Sequence, residues 1–131
     1  MQSRPLVLAL AAFALMLLAV APARAGGALT GDQIRALIAG NTLFGAYGAR
    51  PIEFSYTPEG RVFGTIGSES SNGSWRIRDG DRYCHEWSVF FDATERCYQW
   101  HALEGGRYLM VNVDTYRVFG IDVWRIRPGL D

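Results

Sequence analysis

Two cysteines, two histidines and four tryptophans carry most of the chemistry this chain could offer, and all but one fall between Gly73 and His101. The stretch runs Gly73-Ser-Trp-Arg-Ile-Arg-Asp-Gly-Asp-Arg-Tyr-Cys-His-Glu-Trp87, then Cys97-Tyr-Gln-Trp100. Any metal centre or general base would have to use His85 or His101, the only histidines. If Cys84 lies opposite Cys97 on antiparallel strands, paired residue numbers sum to 181, so His85 faces Arg96 and His101 faces Gly80. That register separates the two imidazoles along the hairpin and puts them on opposite faces, which excludes a shared metal. No His-x-x-x-His, Cys-x-x-Cys, nucleophile elbow or glycine-rich phosphate loop occurs elsewhere. The expectation is a protein that is not an enzyme, with no cofactor and no bound metal.

Cys84 and Cys97 therefore read as a cross-strand disulfide rather than a redox pair, since catalytic pairs sit closer, at a helix start. Closing that ring of 14 residues contributes roughly 3 kcal/mol by loop entropy. Trp75, Tyr83, His85, Trp87 and Trp100 share one face of three strands and are the candidate ligand-facing residues. Two readings stay open for them. They line a pocket for an apolar ligand, with His85 as the polar handle, or they fill the core, with His85 hydrogen-bonded to a neighbouring Tyr or carbonyl. A domain this small needs bulky side chains for its core, so filling is the default.

The elements that position these residues follow from periodicity. Trp75 and Ile77 alternate with Arg76 and Arg78, Asp79-Gly80-Asp81 is a turn, and Tyr83, His85, Trp87, Val89 and Phe91 share one parity beyond it. The charged residues Arg76, Arg78, Arg82, Arg96, Glu86 and Glu95 are assigned to a solvated outer surface with weak ion pairs. Upstream, Thr30-Gly-Asp-Gln33 is a capping box opening a short helix with an Ile34, Leu37, Ile38 stripe, ended by Gly40-Asn41. Strands are expected at 42–47, 52–56 and 61–66, and again at 107–113 and 117–127. In the last run the apolar parity slips from Phe119, Ile121 and Val123 to Trp124 and Ile126, which predicts a bulge near Asp122. Residues 67–73, Gly-Ser-Glu-Ser-Ser-Asn-Gly, read as a loop, either a partner contact or a surface insertion. About eight strands joined by tight turns suggest consecutive pairing. The fold class is mainly β: a small antiparallel up-and-down β-barrel with one short N-terminal helix, or alternatively a two-sheet β-sandwich.

The first 25 residues stand apart. Arg4 precedes an unbroken apolar run from Leu6 to Ala21, and Ala23-Arg-Ala25 is a small-residue cleavage pattern, so residues 1–25 read as a signal peptide. The run of 16 residues is shorter than the ~20 a spanning helix needs, and no membrane span is expected after cleavage. Residues 26–131 then form a single domain. Without Arg4 and Arg24 it carries 11 basic against 13 acidic residues and no basic run, which argues against nucleic acid as a partner. The expected location is the periplasm or extracellular space, where two cysteines usually pair.

Ala28-Leu-Thr-Gly-Asp-Gln-Ile34, Leu37-Ile-Ala-Gly-Asn-Thr42, Gly73-Ser-Trp75, Asp79-Gly80, Tyr83-Cys84, Trp87 and Cys97-Tyr98 together resemble a family of small exported bacterial proteins of unknown function. Its members share a leader, a helix ending in Gly-Asn-Thr or Gly-Lys-Thr, a Gly-x-Trp strand and a Cys…Trp…Cys-Tyr hairpin. The resemblance implies a small β-rich fold in the cell envelope and carries over no catalytic residues. Two functions are expected: a non-catalytic protein-interaction module of inhibitor or accessory type, partnered by another envelope protein, or a carrier of a small hydrophobic ligand in the barrel interior.

Overall fold

The computed structural model describes residues 27–114 and 120–131. The leader expected at 1–25 lies outside them, as do the first residues, 117–119, of the expected last strand. Helix α1 (Gly31–Ile38) precedes eight strands: β1 (Asn41–Tyr47), β2 (Arg50–Tyr56), β3 (Arg61–Ile66), β4 (Glu69–Arg78), β5 (Arg82–Trp87), β6 (Arg96–Ala102), β7 (Tyr108–Asn112) and β8 (Gly120–Pro128). Each strand pairs antiparallel with the next, and β8 returns to β1, so the sheet closes into the expected up-and-down barrel. Closure removes the exposed edges that a sandwich would leave.

The helix forms where its capping box starts it. The Thr30 hydroxyl accepts from the Gln33 amide at 3.2 Å, and the Gln33 side chain accepts from the Thr30 amide at 2.9 Å. Ile34 and Ile38 are fully buried, and the Gly31 amide donates to Asp81 in the β4–β5 turn at 2.8 Å. An eight-residue helix is too short to persist alone. It is held as a plug across the barrel end that carries the 57–60 and 79–81 turns. The residues before it also join the sheet: Leu29 donates to the Trp100 carbonyl, Ala102 donates to that of Gly27, and Ala28 bridges His101. Because β5 pairs with β6 only from Tyr83 onward, this segment takes the place that the expected His101–Gly80 pairing would have filled. His101 itself pairs with Leu109 on β7.

Inside the barrel, large rings are set across from glycines. Phe54 pairs with Gly64, and Trp87 pairs with Gly73. A Cβ on Gly64 would stand 2.0 Å from the Glu53 carbonyl oxygen, and one on Gly73 would stand 2.0 Å from that of Glu86. The strands coil tightly at these points, and only glycine permits the approach.

Three expectations change. Residues 67–73 are not a loop: β4 starts at Glu69 and pairs with β3 through Ser70, Ser71 and Asn72. A strand in a closed sheet is held by its ladder, so a run without apolar side chains can still extend; only Gly67 and Ser68 turn the chain, with Gly67 at φ +59°. The second concerns β5, which ends at Trp87 and leaves Val89 64% exposed. The third is the bulge, which lies slightly beyond Asp122: Phe44 pairs with Arg125 and Gly45 with Val123, so Trp124 is the extra residue.

Cys84 and Cys97 are paired and bonded, as expected. The bond sits in the middle of the shortest ladder among the described residues, the three β5–β6 pairs Tyr83–Tyr98, Cys84–Cys97 and His85–Arg96. It staples the seam where backbone pairing holds least. Changing both cysteines to Ser should lower Tm by roughly 10–20 °C, from the roughly 3 kcal/mol attributed to the link. Calorimetry showing an unchanged Tm would dismiss the staple. Trp75 is buried, its indole donates to the Thr57 carbonyl at 3.0 Å, and Arg35 stacks over its ring. Trp75→Ala should destabilise by roughly 3–5 kcal/mol in urea unfolding, and a loss under about 1 kcal/mol would contradict its place in the core.

Candidate functional site

The five candidate residues come together inside the barrel. Trp75, Tyr83, His85, Trp87 and Trp100 are all buried on the inner face. A polar chain runs among them: the Tyr56 and Tyr83 hydroxyls are 2.9 Å apart, and the Tyr83 hydroxyl lies 3.1 Å from His85 Nδ1. Burial raises the pKa of Tyr56 and Tyr83, so both stay neutral and able to donate. Burial first, then the Arg96 guanidinium, lowers His85 to about 3, so its imidazole is neutral at any physiological pH. The hydrogen bond to a neighbouring tyrosine is the one that the core reading of His85 requires.

Around that chain the rings meet one another. Trp87 lies 4.6 Å from Phe54, Tyr98 5.0 Å from His85, and Trp100 5.8 Å from Tyr83, centroid to centroid. The inner space along this line is occupied by the protein's own side chains. Four buried nitrogens have no hydrogen-bond partner among the described residues: Arg76 Nε on the outer wall, and His85 Nε2, Trp87 Nε1 and Trp100 Nε1 inside.

At the end opposite α1 the barrel has a mouth. A cavity of about 250 Å3 opens there among Tyr47, Arg50, Glu69, Phe90, Phe91 and Arg96. Phe90 and Phe91 belong to the β5–β6 connection and turn inward: Phe90 packs on Trp87 at 5.0 Å, and Phe91 stacks on His85 at 4.9 Å with a 23° interplanar angle. Phe91, Asp92 and Ala93 are all left-handed, at φ +55°, +58° and +52°. That conformation costs a non-glycine residue about 1–2 kcal/mol, and here three occur in a row.

Arg96 corrects an expectation. Its charge places it on the outer face, yet it pairs with His85 and so shares its inward parity. The same register that placed His85 contained the signal. Phe90, Phe91, Tyr47 and Arg50 could not be found that way, because a strand-like parity through Val89 and Phe91 hides a turn. The other charged residues do lie outside. Arg76 and Arg78 both pair with Glu95, Arg78 at 2.8 and 2.9 Å, above the disulfide. Among the described residues, the one grouping of potential cation ligands is Cys84, Glu95 and Cys97. Its sulfurs are bonded to each other and its carboxylate is held by the two arginines, so it is spent. His85 and His101 face opposite sides of the wall.

The outer wall carries a second feature that sequence reasoning missed. The bulge directs Trp124 outward, 49% exposed. Beside it Phe44 lies under two guanidiniums, Arg125 at 4.4 Å and Arg127 at 5.4 Å. A groove of about 440 Å3 runs from there past Pro51, Glu53 and Thr65. No helix among the described residues is long and apolar enough to cross a membrane. No family model, curated protein or solved structure matches the chain.

His85 should show itself in acid. Its folded pKa, about 3, lies below the ~6.5 of an unfolded histidine, so the unfolded chain binds the proton first. The stability contribution is complete above pH ~6.5 and is lost toward pH 3 at about 1.4 kcal/mol per pH unit. His85→Phe keeps an aromatic ring and removes the titration. Urea unfolding between pH 7.5 and 4 should give a shallower decline for the variant, and parallel curves would refute the buried neutral imidazole.

Proposed function

We propose that this chain is an exported, non-catalytic protein-interaction module of the cell envelope, of inhibitor or accessory type, which engages its partner through the outer wall of β8, β1 and β2. One observation carries this reading: Trp124 stands half exposed on a bulge, next to the arginine-flanked Phe44 and along the groove. Trp and Arg are the residue types most enriched at the energetic centres of protein interfaces. A bulge that re-aims one side chain is a device that sheets use near working surfaces. A partner segment that places an apolar side chain against Trp124 and a carboxylate near Arg125 fits the groove's chemistry.

The occupied interior supports the module over a carrier of a large apolar ligand, because the rings along the core already fill each other's contacts. Export is supported by the leader-like first 25 residues and by the disulfide, which persists in an oxidising compartment. The likeness to small exported bacterial proteins points the same way. A non-catalytic role is supported by the separation of the two histidines and by the spent Cys84–Glu95–Cys97 grouping.

Capture from periplasmic extract, with native mass spectrometry of the eluate, should return a stoichiometric protein partner. Trp124→Ala and Arg125→Ala should each weaken that complex by about tenfold or more, with Tm within a few degrees of wild type. A partner retained equally by both variants would move the interface elsewhere. Only a small molecule in the eluate would favour the carrier.

A further inference from the structure

We propose that the barrel mouth is a gated binding site for a small carboxylic acid with an apolar body, and that Phe90 and Phe91 are its gate. Each ring lines the mouth cavity on one side and covers an inner residue on the other: Phe90 covers Trp87, and Phe91 covers His85. The covered residues hold Trp87 Nε1 and His85 Nε2, two of the buried nitrogens without a partner among the described residues. His85 is 1% exposed and Trp87 no more, so neither nitrogen meets solvent while the rings stay in place. Withdrawing the two phenyls would join the cavity to both nitrogens.

The segment that holds those phenyls carries backbone strain. Three consecutive left-handed residues store strain there that a different backbone conformation would release. Beyond the packing of its rings, with Tyr47 edge-on to Phe91 at 5.2 Å and the Arg96 guanidinium 5.9 Å over it, and the Val89 amide donating to Ser71 at 3.2 Å, its anchors are few. Thr94 donates to the Phe91 carbonyl through its amide at 3.3 Å and its hydroxyl at 2.9 Å, and Asp92 lies 3.7 Å from Arg96. Asp92 is almost fully exposed, so the last contact is a weak surface pair.

The chemistry of the occupant follows from what lacks a partner. Indole Nε1 can only donate. When the Tyr83 hydroxyl donates to Nδ1, the neutral imidazole carries its proton on Nε2 and also donates outward. Arg96 and Arg50 face the same cavity, each loosely paired at 3.7 Å, with Asp92 and Glu69 respectively. Donors therefore converge from four residues, and a carboxylate is the group that accepts from all of them. Apart from Glu69 and Asp92, which sit against the two arginines, the remaining wall of Tyr47, Ile66, Val89 and the displaced phenyls suits an apolar body about the size of the ring it replaces. The site lies at the mouth rather than on the outer wall, so it stands or falls independently of the protein-partner surface at Trp124.

Phenylacetate serves as the probe on the full exported chain, with phenylacetamide as its uncharged counterpart. Saturable quenching or enhancement of tryptophan fluorescence by phenylacetate is expected below about 10 mM, with a concurrent shift of the His85 ring signals in NMR spectra. Phenylacetamide should bind at least about tenfold more weakly. Arg96→Gln should weaken phenylacetate by about tenfold. Phe91→Gly, which accepts the left-handed backbone and removes the competing ring, should tighten it severalfold. Trp124→Ala should leave it unchanged. Should Arg96→Gln fail to fold, Arg50→Gln on the exposed rim takes its place. No saturable response, equal affinity for the amide, or a Phe91→Gly variant that binds no better than wild type would overturn the proposal.

Discussion

The structure depends on a constraint of size inside a narrow tube. Eight strands leave a lumen just wide enough for side chains, so where the wall coils most tightly a large ring is matched by a glycine across from it. Gly64 and Gly73 supply that match for Phe54 and Trp87. With a Cβ at either position the neighbouring carbonyl would be struck, the strand could not coil, and the walls could not close. Closure in turn lets β8 reach β1 and brings the bulge at Trp124 into being, because the two strands meet out of register by one residue. The plug follows from the same geometry: a barrel filled with rings still has an open end, and Ile34 and Ile38 of α1 cover it.

Much of this was legible from alternation. Trp75, Tyr83, His85, Trp87 and Trp100 share a face because side chains on a strand alternate, and the Cys84–Cys97 register could be read from two numbers. The capping box of α1 was equally plain, since it depends on four adjacent residues. What stayed hidden has physical causes. The start of β4 carries no apolar side chain, so its order comes from hydrogen bonds to β3, which leave no mark on hydrophobicity. The turn at Phe91 mimics strand parity while its backbone is left-handed. Arg96 was misplaced because charge suggested the outside, although its pairing with His85 requires the inside.

The interior is thus divided by polarity. Toward the plug, the Tyr56–Tyr83–His85 chain satisfies its own hydroxyls, and desolvation keeps every member neutral. Toward the mouth, two donors without acceptors, His85 Nε2 and Trp87 Nε1, lie beneath two phenyl rings, while Trp100 Nε1 lies nearer the plug. Natural cores seldom leave polar atoms unpaired without a reason, and unpaired donors gathered under a strained turn mark the mouth as different from the rest of the core. The outer wall separately exposes one tryptophan where the register slips. These two features share no residue, so evolution can adjust one without disturbing the other.

The β5–β6 seam has a consequence for solubility. A closed barrel offers no strand to which another copy can add, and this one is shut at its least-paired place by a single covalent bond. A copy kept reduced has only three residue pairs there between a sealed wall and an open sheet with two free edges. Such edges are the template on which β-proteins aggregate, so the disulfide guards against polymerisation as well as unfolding.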